Sequence, residues 1–592
     1  MTFRLEKRLN GLILAMGLLL GACAPEQAEL SPMEKAQQAL AQNDPITAEV
    51  ELRGMLADGT DPSEIAAYLG EAELQQGSLA EAREWLKARE FSDATKAHGY
   101  HMAGRLEMLD GELPLAGQAF DRALAAGGDD AELWVDIGRL RYRGGEQAQA
   151  YAAGMKAVEL GPENLQALMF YGQLVRDSEG MQAALPWFEQ ALLSHPDDLQ
   201  LLGEYAATLG EMGQAKLMLE ATRKMMKIDP GNRKAQFLQA VLAARGGNID
   251  LAIVLLQRSG ELERGVPAAM LLSAIIDLER GNYASSAQTL ERLASIQPDN
   301  RRVKLLLARA LSLGRNDNEL LYRFDSEAAR VSSSSYLQTL VARSFEANGK
   351  RENAASLLDR ALTARSAQFG VIAPETTLSV ARGRAGNGSA GAINFVRAAI
   401  VEKQPSDARR IADQFARRAP GSGDAQALLG DALLASQSLG PALDAYGRAS
   451  SIRRPWPLVN KMAGILIAQG ERDQALALLD GFLLGEAANV EAMTTLALQN
   501  GYAGNWESSA FFADYAILHG AARDYLLLSM RAKAAIALDE IDLAVEYAEA
   551  AHDLQPMSPF AAKILLDAYR KAEVDQLLID VVETKVRLFE TA

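Results

Sequence analysis

The chain has 592 residues, with 77 acidic and 60 basic side chains and therefore a formal net charge of −17. Its 49% of hydrophobic residues excludes wholesale disorder, and its acidity makes bulk nucleic acid an unfavourable partner. The single cysteine excludes both an intrachain disulfide framework and a metal site built from several cysteines. Aromatic residues are only 6% of the chain and alternating strand patterns are scarce, so the composition predicts an all-α protein.

The N-terminus has the pattern of a secretory signal. Three basic residues precede a short apolar stretch from Gly11 to Leu20, which is too short to cross about 30 Å of hydrocarbon as a mature helix. The stretch ends in Leu20-Gly21-Ala22-Cys23, which resembles the bacterial lipobox, with Gly21 as a mild departure. We therefore predict lipidation of Cys23, with an unmodified cysteine near an ordinary cleavage site as the alternative.

This resemblance implies a lipoprotein signal peptide at residues 1–22 and a lipidated tether at residues 23–31. Two or three acyl chains anchor a protein stably where a single chain does not. Ala24 follows the cysteine, and in the sorting rule of enteric bacteria a residue other than Asp at this position implies transfer to the outer membrane. The predicted location is the outer membrane, with the chain facing the periplasm, and retention in the inner membrane is the alternative.

A small residue recurs every thirty-four residues from Ala36 onward, which is the signature of a repeat architecture. The recurring positions are all Gly or Ala: Gly70, Gly104, Gly138, Gly172, Ala206, Ala240, Ala274, Ala308 and Ala342. A second small residue lies twelve residues after most of them, which predicts a helical hairpin whose two helices, A and B, cross closely. Glycines such as Gly77 and Gly111 would end helix A, and prolines such as Pro162 and Pro196 would stop helix B.

These features resemble the tetratricopeptide repeat (TPR) family. Besides the period, Trp134–Gly138 matches the W-x2-L-G pattern with Ile in place of Leu, and Ala116, Phe120 and Ala123 match the A-x3-F-x2-A pattern. The resemblance implies an all-α superhelical solenoid of antiparallel helix pairs, with about fifteen repeats. It also implies a surface for binding partners, without identifying the partner.

The repeat register divides the mature chain into three parts. Residues 32–365 form a first array of about ten repeats, and residues 366–420 form an irregular helical segment. Residues 421–592 form a second array, which contains the small residue Gly430 and ends in capping helices. The irregular segment is either a kink in one solenoid or a boundary between two domains.

Candidate catalytic and metal-binding motifs are few. Residues 386–391 match the phosphate-binding pattern GxGxxG, but that pattern requires a preceding strand, so we interpret them as a turn between helices. His98 and His101 are spaced to share a helix face, yet a metal site needs further ligands, so solvated groove histidines are the preferred interpretation. We therefore predict no enzymatic activity, no cofactor and no metal.

In the TPR family, side chains of helix A line the concave groove of the array. Applied by resemblance, the family's groove positions are occupied by Arg105, Arg139, Tyr142, Arg143 and Arg176. Later repeats place Arg302, Arg309, Tyr336 and Arg343 there. Basic residues outnumber acidic ones at these positions. The excess predicts a basic groove, and chance sampling is the alternative explanation. The predicted ligand is an acidic peptide segment or an anionic polysaccharide, because a guanidinium can bind a carboxylate through two parallel hydrogen bonds.

The function implied is a non-enzymatic protein–protein interaction scaffold that assembles or regulates an envelope machine. By resemblance to long TPR lipoproteins, exopolysaccharide export, secretion and the exosortase-associated (PEP-CTERM) systems are candidate settings, and no residue distinguishes among them. The alternative is a periplasmic chaperone or assembly factor for outer-membrane or secreted proteins, which would expose apolar groove residues. The expected partners are other envelope proteins, with no nucleic acid and no membrane contact beyond the lipid anchor.

Overall fold

A computed structural model describes residues 30–87, 90–260, 265–330, 333–366, 374, 376–383, 388–487 and 489–591. Within these ranges the chain forms thirty-three α-helices and one short π-helical turn, with no strand, so the predicted all-α fold is confirmed. The predicted signal peptide, Cys23 and most of the predicted tether lie outside the described residues.

The chain divides into two compact units, residues 1–162 and residues 163–592. The described part of the first unit consists of eight helices, which pack as successive antiparallel pairs. They are α1 (Pro32–Ala41), α2 (Pro45–Ala57), α3 (Pro62–Gln76), α4 (Leu79–Leu86), α5 (Lys96–Asp110), α6 (Leu113–Ala125), α7 (Ala131–Arg143) and α8 (Gln147–Leu160).

The second unit contains the remaining helices. Its first twelve are α9 (Leu165–Ser178), α10 (Met181–Ser194), α11 (Leu199–Glu211), α12 (Ala215–Ile228), α13 (Arg233–Arg245), α14 (Ile249–Arg258), α15 (Pro267–Glu279), α16 (Tyr283–Ile296), α17 (Arg301–Leu313), α18 (Asp317–Ala328), α19 (Ser335–Ala347) and α20 (Arg351–Ser366). They are followed by α21 (Leu378–Arg382), α22 (Gly388–Val401), α23 (Pro405–Arg418), α24 (Gly423–Ala435), α25 (Leu439–Ile452), α26 (Trp456–Ala468), α27 (Arg472–Gly485), α28 (Val490–Ala503), α29 (Trp506–Ala516), the π-helical turn Ile517–Ala521, α30 (Tyr525–Ala537), α31 (Ile541–Leu554), α32 (Pro559–Lys571) and α33 (Gln576–Thr591).

The helix ends follow local sequence chemistry. Asp130 caps α7 by accepting a hydrogen bond from the backbone amide of Leu133, and Asn164 caps α9 in the same way. Gly77 and Gly111 end α3 and α5 in the left-handed region, with φ of 80° and 83°. Most side chains are disfavoured in that region, so the glycines predicted to end helix A are confirmed at these positions. Pro162 lies just beyond the end of α8 at Leu160, as predicted.

The recurring small residues make room for a large side chain of helix B. A Cβ atom built on Gly172 would lie 2.7 Å from the Phe188 ring, which is fully buried. Gly70, Gly104 and Gly430 occupy the same position in their own hairpins, where a Cβ would overlap Leu86, Phe120 and Tyr446, respectively. Each large residue lies sixteen positions after its glycine. The thirty-four-residue ladder therefore reflects close packing within each hairpin.

Among its described residues, the irregular segment predicted at residues 366–420 contains the helices α21, α22 and α23. Part of the GxGxxG match, Gly386 and Asn387, lies outside the described residues, and α22 begins directly after it at Gly388. The interpretation of this segment as a kink or as a domain boundary stays a prediction.

Candidate functional site

Two predicted groove arginines of the first unit, Arg105 and Arg139, meet around one buried carboxylate, Asp136 on α7. Asp136 is only 3% exposed, and its carboxylate lies 2.9 Å from Nε2 of His101. Arg105 donates to it from Nε, and Arg139 donates from Nη1 over 3.1 Å. Three of the groove side chains therefore converge on one anion that the sequence interpretation did not single out.

The electrostatics of this cluster favour the ionised form of Asp136. Burial by itself would raise the pKa of the carboxyl, but the hydrogen bond from His101 and the positive charge of Arg105 outweigh this effect. The pKa of Asp136 is held well below its usual range as a result. One carboxylate thus faces two guanidinium groups, and the carboxylates of Glu132 and Glu71 also act on Arg105.

The two histidines with metal-site spacing point to different carboxylates. Nε2 of His98 lies 2.8 Å from Glu71 of the preceding repeat, and its ring stacks on Tyr68. His101 instead pairs with Asp136 of the following repeat and is buried, so the prediction of a solvated histidine is wrong for this residue. The His98–His101 spacing therefore links three successive repeats through hydrogen bonds.

In two repeats, an arginine at the same predicted groove position donates a hydrogen bond to the repeat before it. Arg143 donates from Nη1 to the backbone carbonyl of Met108 over 3.0 Å. In the second unit, Arg245 makes the equivalent bond to the carbonyl of Gly210 over 2.7 Å. Both carbonyls lie in the last turn of helix A, where backbone acceptors lack partners within the helix. The long side chain at this position therefore satisfies a neighbouring helix end as well as lining the groove.

Arg176 lies in the second unit and forms an ion pair with a different carboxylate, that of Glu204. Its Nη1 donates to Glu204 over 3.0 Å, and Lys234 donates to the other oxygen of the same carboxylate over 3.0 Å. Burial would raise the pKa of Glu204, but the two cations lower it. Glu204 has the same position in its repeat as Asp136, so both units place one carboxylate between two cationic side chains.

Later groove positions of the second unit form a junction between distant parts of the chain. Arg309 is 1% exposed and donates to Glu279 over 3.2 Å and to Nδ1 of His519. The Tyr336 hydroxyl donates to the backbone carbonyl of His519 over 2.8 Å, and burial raises the pKa of Tyr336 to about 12. Burial, and after it the charge of Arg309, lower the pKa of the His519 imidazole to about 3. His519 is therefore neutral at physiological pH.

The same junction continues along α19. Arg343 donates to the backbone carbonyl of Gly520 over 3.2 Å, and Arg523 pairs with Glu346. Gly520 has a φ of 113°, which only glycine adopts readily, within the π-helical turn Ile517–Ala521. These contacts assign Arg309, Tyr336 and Arg343 to intramolecular packing, where the resemblance had placed them on a groove.

Parts of the chain match family models of tetratricopeptide repeats. One model matches residues 243–310, and a second matches residues 33–95 and residues 394–455. Together these matches cover about a third of the chain and include helices of both units. In a comparison with curated protein sequences, none matches the chain.

Several solved structures resemble stretches of this chain at low identity. The crystal structure of MamA is 20% identical, covering 29% of this chain and 93% of its own, with a TM-score of 0.25. PilF of Pseudomonas aeruginosa is 19% identical, covering 36% of this chain and 97% of its own, with a TM-score of 0.30. The Cut9–Hcn1 assembly of the APC/C is 14% identical, covering 91% of this chain and 98% of its own, with a TM-score of 0.30. Identities and scores at this level carry no argument about function.

The hairpins and their repeat register define an all-α helical-repeat protein. The three matched segments are tetratricopeptide repeats, and repeats of this family are in general modules for protein interaction.

Proposed function

We propose that the chain is a non-enzymatic interaction scaffold, anchored through lipidated Cys23 to the periplasmic face of the bacterial outer membrane. Its work would be the assembly or regulation of an envelope machine, with exopolysaccharide export or secretion as the candidate settings. The first unit would bind an acidic segment of a partner protein along α5 and α7.

The observation that carries this proposal is the accessible cationic surface of the first unit. The side chains of Arg105 and Arg139 are 31% and 35% exposed although both contact the buried Asp136. Tyr142 and Arg143 are exposed on the last turn of α7. Since a guanidinium has five N–H donors in a planar fork, the carboxylate beneath Arg105 leaves room for another from a ligand. Asp136 thus holds the arginines in place for a second anion.

The lipid anchor is supported by the sequence. The only cysteine of the chain follows a short apolar stretch at the position that a lipobox requires. Among the described residues, none of the helices is both long and apolar enough to cross a membrane. An acylated Cys23 would place the repeats at the membrane surface without a spanning helix.

A periplasmic chaperone or assembly factor remains the second candidate, because one apolar groove residue is accessible. Leu109 is 56% exposed at the end of α5. A chaperone would bind unfolded outer-membrane proteins through such residues, with little dependence on salt. A binding site for acidic segments would weaken as salt rises.

The anchor is tested by mass spectrometry of the protein purified from bacterial membranes. The proposal predicts a mature N-terminus at Cys23 carrying acyl chains, and a Cys23→Ser variant that leaves the membrane fraction. An intact N-terminal Met1, or an unmodified Cys23 in the membrane-bound protein, would contradict the anchor. Crosslinking of wild type and Cys23→Ser in the envelope then shows whether partner capture depends on the anchor.

A further inference from the structure

A cavity of about 220 Å³ lies inside the second unit, between α17 and the helices α26 and α28. Its walls are mainly apolar and include Leu305, Phe482 and Val490. Trp456 also lines it, with its ring centroid 5.6 Å from that of Phe482. Pockets for drug-sized ligands typically measure about 300–1,000 Å³, so this cavity is suited to a single side chain.

Three helices begin at the cavity. Arg301, Trp456 and Val490 are the first residues of α17, α26 and α28, and all three line it. The N-terminal end of a helix carries a partial positive charge, which favours an anion nearby. Pro455 is the N-cap of α26 and supplies no side-chain hydrogen bond to that helix end. Asn300 and Asn489 cap α17 and α28, so the N-terminal end of α26 is the one of these three that has no side-chain cap and favours a nearby anion.

The charged side chains around the cavity add to this effect. Four arginines line it, with two acidic residues, Glu486 and Glu491. Arg302 pairs with Glu486 over 2.9 Å, and Arg309 is committed to the buried junction with Glu279. Arg301 and Arg454 are exposed, so they can reach a ligand at the mouth. Positive charge is thus concentrated here on a chain whose formal net charge is −17.

We propose that this cavity binds an acidic segment of a partner protein, with one aromatic side chain inserted and flanking carboxylates held by Arg301 and Arg454. The inference rests on the proposed interaction function and assigns it a second, separate contact. Aromatic side chains buried in pockets are the usual energetic anchors of protein interfaces, and surrounding charges set specificity. The apolar wall and Trp456 select the aromatic anchor, and the arginines select its acidic neighbours.

The test uses a synthetic acetylated peptide, Glu-Asp-Phe-Asp-Glu, titrated into the mature chain purified in detergent while tryptophan fluorescence is recorded. The chain has five tryptophans, so the change must disappear in a Trp456→Phe variant to be assigned to the cavity. We expect saturable binding that weakens about tenfold when the peptide Phe is replaced by Ala, and again in an Arg454→Glu variant. Arg453→Glu is the matched control, because Arg453 is exposed next to Arg454 but does not line the cavity.

Equal affinities for Arg454→Glu and Arg453→Glu, or no dependence on the aromatic residue, would overturn the proposal. So would displacement of the peptide by an acidic oligosaccharide at lower concentration, because that would assign the cavity to polysaccharide. The general scaffold is tested independently by envelope crosslinking. Capture of the same partner by wild type and Arg454→Glu, with no binding of the peptide, would reject the cavity and retain the scaffold.

Discussion

The hydroxyl of Tyr336 donates a hydrogen bond to the backbone carbonyl of His519, although 183 residues separate the two along the chain. The bond joins α19 to the π-helical turn Ile517–Ala521. It holds α19 against the turn that follows α29, beside the cavity that Tyr336 also lines. The repeat array is therefore stabilised by contacts between distant repeats, which the thirty-four-residue period does not predict.

Removal of this hydroxyl should loosen the junction. A Tyr336→Phe variant is expected to lose about 1–2 kcal/mol of unfolding free energy, because a buried carbonyl loses its donor. Hydrogen exchange should accelerate at the amides of the turn Ile517–Ala521. Tyr322→Phe serves as the control, since Tyr322 is 87% exposed. Equal exchange in the two variants would show that the bond does not hold the turn.

The neutral, buried His519 predicts a specific pH dependence. Its pKa of about 3 in the folded state lies below the unfolded value of about 6.5, so the unfolded state binds a proton first as the pH falls. The contribution of the neutral His519 to the free energy of unfolding is complete above about pH 6.5. It is lost as the pH falls towards 3. Between about pH 7 and pH 5 the loss should approach about 2 kcal/mol. Denaturant unfolding of wild type and His519→Gln should therefore show a shallower pH slope in the variant, and parallel slopes would refute the assignment.

The close contact at the repeat glycines can be tested by adding one methyl group. Gly172→Ala should destabilise by about 1–2 kcal/mol net, because its Cβ would overlap the buried Phe188 ring while alanine favours the helix. Gly138→Leu, at the same repeat position, should destabilise more. Gly54→Ala, in a helix where a Cβ would meet nothing within 4 Å, should instead stabilise by about 0.5–1 kcal/mol. Thermal or denaturant midpoints give the comparison, and a neutral Gly172→Ala would mean that the packing is looser than described.

Loss of the charge at Asp136 should disturb the first unit. Asp136→Asn leaves two guanidinium groups without their carboxylate, and removing one partner of a fully buried pair costs about 3–5 kcal/mol. Here about 2 kcal/mol is expected, because Arg105 and Arg139 are each about a third exposed and water screens them. The loss should shrink when Arg105→Gln is added, in a double-mutant cycle. Strictly additive effects would show that the two side chains do not interact.

The local features of the fold were predictable from the sequence because short-range chemistry determines them. Gly77 is the C-cap of α3, Pro162 follows the end of α8, and Gly104 marks a helix crossing within one hairpin. The family register also brought Arg105 and Arg139 into consideration, and their role in binding a ligand stays a prediction. Asp136 was not singled out, because the W-x2-L-G pattern treats its position as variable. Its role depends on His101 and Arg105 in the preceding repeat.

The junction and the cavity could not be predicted by the same reasoning. His519 and Trp456 come from repeats far along the chain from α17 and α19, and a periodic pattern contains no information about which repeats meet. The register also becomes irregular after about residue 365, so positions counted from Ala36 cannot be extended to α26 or α28. The contact between the buried His519 and the buried Arg309 becomes visible only in the three-dimensional structure.

The central claim, that the cationic surface of α5 and α7 holds an acidic partner segment, is tested most directly by one affinity measurement. The partner crosslinked in the envelope is purified, and its Kd is measured for wild type, Arg139→Gln/Arg143→Gln and the control Arg122→Gln. Arg122 is exposed on α6 and is not one of the predicted groove residues, and each variant's unfolding midpoint is checked first.

We predict that the double variant binds at least about tenfold more weakly, a loss of about 1.4 kcal/mol, while Arg122→Gln binds as wild type does. Wild-type affinity should also fall as salt rises from about 0.1 M to about 1 M, where the Debye length shortens from about 10 Å to about 3 Å. An unchanged Kd in the folded double variant, or an affinity indifferent to salt, would contradict the claim.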